Sequence, residues 1–198
     1  MTKILILGAY GQIARIATRL FLEKSDVQLT LYLRNARRLK NIGHVDRMQV
    51  VEGDVLDSRT LEAVMAGQDV VYANLSGRME EQARCIIKAM HSTGVKRLIF
   101  ISSMGIYAEV PGEHYQSILD PYRDSARAIE ESDLDYTIVR PAWLNDSDDL
   151  DYGTTQKGEP FKNPSATVSR KSVAYLVVKL ATTPGLEIRQ SLGVHKTV

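Results

Sequence analysis

Apolar residues recur along this chain in two rhythms. Residues 3–7 form a nearly unbroken apolar run, as expected of a strand covered on both faces. Ile13, Ile16, Ala17, Leu20 and Phe21 then space as one face of a helix. The alternation repeats. Strands are predicted at 27–33, 48–51, 69–73, 97–102, 136–140 and 189–194. The intervening helices carry Leu61, Val64 and Met65, then Ala83, Ile86, Ile87 and Met90, then residues 121–132, and last Val173, Leu176, Val177 and Leu180. Asp57 or Ser58 suits the N-cap of the second helix, Ser169 that of the last, and Gly94 the end of the third. Strands alternating with helices imply right-handed crossovers and an α/β fold, a doubly wound parallel sheet in one domain over 1–198.

Composition narrows the partners. The 198 residues are 44% hydrophobic and 25% charged, and 25 Lys and Arg against 24 Asp and Glu leave a net charge of +1. With no global basic field, nucleic acid is excluded as the main partner. Cys85 is the only cysteine, so no disulfide forms within the chain and a cysteine metal site is excluded; its apolar helical setting predicts a core residue. No apolar run approaches the roughly 18 residues of a membrane span. The run at 4–7 is too short for a signal peptide. The expectation is a cytoplasmic protein, monomeric or weakly dimeric, without membrane or metal. Residues 145–163, with Asp146, Asp148, Asp149 and Asp151, are expected to be a solvated loop or small hairpin; the spacing does not fit a calcium loop.

The chemistry concentrates at strand ends. Gly8-Ala-Tyr10-Gly11-Gln12-Ile13-Ala14 directly follows a strand and opens a helix. Gly8 permits the tight turn, Gly11 lets backbone approach a pyrophosphate, and Ala14 keeps the helix close to the sheet. The helix start then offers unpaired N–H groups to phosphates. The second strand ends in Arg34-Asn35, with Arg37 and Arg38 beyond. Guanidinium in place of a carboxylate here suits the 2′-phosphate of NADP. Asp54 of Gly53-Asp54-Val55 either accepts from the adenine amino group, with Val55 against the ring, or caps the next turn. Asn74-Leu75-Ser76 ends the fourth strand, where the sheet order should reverse and the cofactor cross. Ser102 and Ser103 end the fifth strand and can orient a nicotinamide or a substrate carbonyl, unless Ser103 bonds only to backbone. Pro141 and Ala142 can line the nicotinamide. Met104, Tyr107 and Trp143 are expected to wall a substrate pocket, with Tyr122 as a neighbour and the pocket region around 143–168; Trp143 could equally be core.

These segments, together with Phe100-Ile-Ser-Ser103, Leu134-Asp-Tyr-Thr-Ile-Val-Arg-Pro141 and Thr167-Val-Ser-Arg-Lys-Ser-Val-Ala174, resemble the atypical short-chain dehydrogenases/reductases of the NmrA-like group. That group includes NADH–flavin reductases and biliverdin reductase B, and the resemblance covers nearly the whole chain. It implies an NAD(P)-binding Rossmann fold and NADPH-dependent hydride transfer to a flavin, quinone or similar conjugated acceptor. A non-catalytic NADP sensor of the NmrA-like type is the alternative. Carbonyl-reducing relatives use a Tyr-x-x-x-Lys pair as the acid. Here Tyr107, Tyr115, Tyr122 and Tyr152 are followed four residues on by Pro111, Leu119, Ala126 and Gln156. The expectation is therefore a site without that pair, in which Ser103 orients the acceptor or the carboxamide. His114 is expected to be a solvated loop residue.

Overall fold

The computed structural model describes residues 1–24, 26–39 and 46–197. The elements run β1 (Thr2–Leu7), α1 (Gln12–Lys24), β2 (Val27–Leu33), β3 (Met48–Glu52), α2 (Ser58–Met65), β4 (Val70–Ala73), α3 (Met79–Thr93), β5 (Arg97–Ile101) and α4 (Asp120–Glu130). They continue as β6 (Asp135–Pro141), β7 (Leu144–Asn145), β8 (Gly153–Gln156), β9 (Val168–Ser169), α5 (Arg170–Thr182) and β10 (Gln190–His195). Single 3₁₀ turns lie at Ala36–Leu39 and Ser117–Leu119.

Among the described residues, eight strands form one sheet in the order β3-β2-β1-β4-β5-β6-β10-β8. Seven run parallel, and β8 is antiparallel to β10. The order reverses between β1 and β4, so the loops leaving these two strands diverge and open a crevice at their carboxyl ends.

The strand pleat sorts the core into two layers. Ile4 and Ile6 of β1, Val70 and Tyr72 of β4, and Ile99 of β5 face α1 and α5. Leu5, Leu7, Val71, Ala73, Leu98 and Phe100 face α2, α3 and α4. On the first side, Ala14, Ala17 and Ala174 are fully buried, and their small size lets α1 and α5 pack closely. The caps are those the sequence predicts for α2 and α5: Asp57 Oδ1 accepts from Thr60 N at 3.3 Å, and Ser169 Oγ from Ser172 N at 2.9 Å. Gly94 closes α3 at φ 77°.

Two expectations are corrected. Residues 145–163 are not only a polar loop. Within them, β8 extends the main sheet, pairing Thr154 with Val194 and Thr155 with Gly193, while β7 pairs with β9 in a separate two-stranded unit. Thr155 is fully buried, which the polar composition concealed. Cys85 is half-buried against the second core layer rather than enclosed in it.

Candidate functional site

The crevice is built on the turn after β1. Gly8 has φ +74°, and a Cβ there would stand 2.2 Å from the Asn74 carbonyl oxygen. A Cβ on Gly11 would stand 2.3 Å from Asn74 Nδ2. Both glycines are thus required by the loop leaving β4, a constraint additional to any ligand. Gly8 N donates to Tyr32 O at 3.0 Å and Gly11 N to Gly8 O at 2.9 Å, which folds the turn back over β2. The first backbone N–H groups of α1, at Gln12, Ile13 and Ala14, lie beyond the reach of helical acceptors. No acidic residue occupies that first turn. The positive end of the helix is therefore left for an external anion.

One cavity of about 430 Å³ runs from this turn across the ends of β2 and β3. Arg34, Asn35 and Arg38 line one end, and Asp54 and Val55 another wall. Arg38 stacks 5.0 Å from the Tyr10 ring centroid, and Arg15 stands 4.8 Å from it. Glu52 accepts from Ala36 N at 2.8 Å and so pins the turn that carries Arg38. Arg37 is exposed and does not line the cavity. Asp54 Oδ1 accepts from Leu56 N at 2.9 Å, so this carboxylate caps the turn while also lining the cavity. Tyr32 closes the floor. Its hydroxyl donates to Asp54 O at 2.9 Å and fills the space a Cβ on Gly53 would need. Burial, then the charges of Asp57 and Asp54, push its pKa up to about 12. Gln82 of α3 also lines this cavity, and its buried Oε1 has no partner.

A second cavity of about 620 Å³ shares Gly11, Asn74, Leu75 and Ser76 with the first, so the two form one crevice. Gln12, Ile13, Ser102, Ser103, Tyr122, Pro141, Ala142 and Trp143 line it, as the sequence reading placed them near one another, and Leu144 and Arg170 join them. Trp143 is 63% exposed at the mouth, not in the core. Ser103 Oγ donates to Met104 O at 3.1 Å. Ser102 Oγ is buried without a partner and is the open hydroxyl of the pair.

Two expected wall residues lie elsewhere. Met104 is buried in the first core layer and does not line either half of the crevice. Tyr107 is carried away by left-handed backbone at Gly105 and Ala108, φ +88° and +55°. Its hydroxyl bonds Glu130 Oε1 at 2.7 Å and Ser191 Oγ at 3.2 Å, and it lines a separate depression beside Lys157. Burial leads the causes that raise its pKa.

Behind this region, Arg140 is fully buried in β6. Its Nε donates to Ser191 Oγ, its Nη2 to Thr155 O and Ser191 O, and its Nη1 pairs with Glu109. Glu109 in turn accepts from Gly105 N at 3.0 Å and Tyr107 N at 2.8 Å, anchoring the loop that follows Ser103.

The expectation that the chain lacks a Tyr-x-x-x-Lys spacing is also corrected. Tyr175 and Lys179 have it, both on α5. Tyr175 packs on the core, Lys179 is exposed, and neither lines the crevice. Among the described residues, no group of three or more His, Cys, Asp or Glu could hold a metal ion, and no helix is long and apolar enough to cross a membrane.

Strand order, glycine turn and joined cavities define a Rossmann-type dinucleotide-binding protein. The chain matches the NAD(P)H-binding family over residues 8–184 and belongs to it. A Rossmann-fold NAD(P)-binding family protein from Shigella flexneri is 42% identical, with a TM-score of 0.87 over 99% of this chain and 94% of that one. A short-chain dehydrogenase/reductase from Veillonella parvula, solved in complex with NADP, is 29% identical, with a TM-score of 0.88 over 98% and 94% of the two chains. The NAD(P)H azoreductase of Xenophilus azovorans is 23% identical over 192 residues, which is 93% of this chain and 65% of that enzyme's length.

The residues present fit the cofactor. The glycine turn leaves an uncapped helix start for the pyrophosphate, and Ser102 Oγ is an unpaired buried hydroxyl at the end where a carboxamide would lie.

Proposed function

We propose that the protein is an NADPH-dependent reductase that passes hydride to a flat conjugated acceptor, a flavin, a quinone or a related ring system, bound in the second cavity. The observation that carries the reading is the continuity of the two cavities through Gly11, Asn74, Leu75 and Ser76. Arg34 and Arg38 would hold the adenosine 2′-phosphate of a dinucleotide laid along that line, the start of α1 its pyrophosphate, and Ser102, Pro141 and Ala142 its nicotinamide end. The bound cofactor supplies the hydride.

The chain's own residues supply placement. Ser102 offers an open hydroxyl, Ser103 one whose proton already goes to Met104 O, and Trp143 and Tyr122 give the acceptor aromatic walls. Among the described residues, Tyr122 bears the only phenol on the second cavity and no lysine lines it. An isolated ketone needs a positioned acid as its alkoxide forms, typically worth about 10²–10⁴ in rate. A conjugated ring spreads the incoming charge over its heteroatoms and takes its proton from water afterwards. The site therefore suits the second kind of acceptor, and works through proximity and orientation. The azo compounds implied by the azoreductase relative's name belong to the same conjugated class.

The test is NADPH oxidation with lumiflavin, menadione and a simple aldehyde. The expected result is turnover of the flavin or quinone far above the aldehyde. Turnover of the aldehyde alone would overturn the reading, and cofactor binding without turnover of any acceptor would assign the protein to the sensor class.

A further inference from the structure

We propose that Arg170 makes the second cavity selective for acceptors that carry an acidic group, a carboxylate or sulfonate, beside the conjugated ring. The inference rests on the acceptor reading of that cavity. Arg170 opens α5 and is the only charged side chain among the described residues lining the cavity. A guanidinium presents five N–H donors. Here Nη1 donates to Asp146 Oδ1 at 2.9 Å, and Nε is buried without a partner.

The ion pair is lopsided. The Arg170 side chain is 17% exposed and that of Asp146 82%. The carboxylate stands in water, where such a pair contributes little. The Arg170 side chain is mostly enclosed, and its buried Nε has no partner. Arg140 shows the contrast: its side chain is fully buried, and Nε, Nη1 and Nη2 all bond to protein acceptors. A desolvated cation with open donors is costly unless a ligand completes it. Ser102 Oγ, 5% exposed by residue and without a partner, is a second open polar group on the same cavity. Among the described residues no carboxylate lines this cavity, and the nearest to the guanidinium is Asp146, which shares the adjoining depressions with Arg170. A planar acid fits this set: the ring against Trp143 and Tyr122, the acid on Arg170, which exchanges the solvated Asp146 for it.

Two flavins that differ only by one carboxylate group test this. Lumiflavin has a methyl group at N10, and its 10-carboxymethyl analogue has an acid there. Their binding to the protein–NADP⁺ complex is read by flavin fluorescence, with no turnover needed. The acid is expected to bind about ten-fold tighter or more, from hydrogen bonding to a charged group. Arg170→Met should bring the two flavins to equal affinity, and Arg170→Lys should restore part of the preference. Equal binding of the two flavins overturns the role of Arg170 while leaving the acceptor reading standing. Failure of both to bind overturns the acceptor reading, and this inference with it. A fall in NADP⁺ affinity that accounts for the whole effect of Arg170→Met would place the arginine on the cofactor pyrophosphate and also overturn the inference.

Discussion

The two halves of the crevice are built on different principles. The adenosine half is made mostly from short runs at strand ends: the turn after β1, the arginines after β2, Asp54 and Val55 after β3, and Asn74, Leu75 and Ser76 after β4, with Gln82 of α3. Its polar groups are fixed by short-range bonds, such as Asn35 Oδ1 accepting from Arg37 N and Asp54 Oδ1 from Leu56 N. The acceptor half is assembled from the ends of β5 and β6, the first turn of α5 and a tyrosine of α4. Behind it stands the buried Arg140–Glu109 pair, whose carboxylate holds the loop after Ser103 through Gly105 N and Tyr107 N. On the proposed reading, charge and tight turns serve a constant ligand in the first half, and aromatic walls with a few open donors serve a variable one in the second. Substitutions should therefore separate by half.

The largest effect is expected at the anchor. Arg140→Met leaves the Glu109 carboxylate, 4% exposed, without its cation. Breaking one side of a buried pair costs about 3–5 kcal/mol. Denaturant unfolding should show that loss of stability, and a change below about 1 kcal/mol, the range of surface pairs, would mean the pair anchors nothing.

Next comes the turn. Gly8→Ala places a Cβ against the Asn74 carbonyl at positive φ. Such strained backbone costs roughly 1–3 kcal/mol, so unfolding should be easier and NADPH binding weakened. Acceptor binding, read with lumiflavin, should fall only as far as it depends on bound cofactor. Unchanged NADPH affinity by calorimetry would contradict the geometry.

Arg34→Ala should be selective, acting on one cofactor and leaving the stability of the fold nearly unchanged. Hydrogen bonds to charged groups are worth about 1.5–3 kcal/mol, or roughly ten-fold to a hundred-fold in affinity. NADPH should lose that much and NADH very little, compared by their dissociation constants. Equal losses would remove the 2′-phosphate from this end of the crevice.

How far each half could be read from the sequence follows the same division. Gly8, Gly11, Arg34, Arg38, Asp54 and Asn74 lie in short motifs at strand ends, where chain order and spatial order coincide. All six line the adenosine cavity. Tyr32, inside β2, was hidden because a strand tyrosine looks like core, and Gln82 because a helical glutamine looks like surface. In the acceptor half, the chain leaving β5 turns at Gly105 and again at Ala108, so Tyr107 follows its hydroxyl partners Glu130 and Ser191 away from the crevice. Those partners are 23 and 84 residues distant in sequence. Arg140 and Arg170 look alike in the sequence; only their long-range contacts distinguish a structural cation from an open one.

The smallest effect is expected at the Tyr-x-x-x-Lys spacing on α5. Lys179 is exposed and away from the crevice. Lys179→Ala should change stability by no more than about 0.5 kcal/mol and leave acceptor turnover unaltered. Loss of turnover would mean that this pair serves the chemistry and that the acceptor half is wrongly placed.

The central claim is that the acceptor half contributes placement and no proton donor. Single-turnover reduction of lumiflavin in a stopped-flow instrument tests it most directly, using NADPH deuterated at the transferred position, then D₂O, then the Tyr122→Phe variant. The account predicts a clear slowing with the deuterated cofactor, a solvent effect near unity, and a rate in Tyr122→Phe close to that of the parent. A large solvent isotope effect that disappears in Tyr122→Phe would contradict it and make Tyr122 the acid.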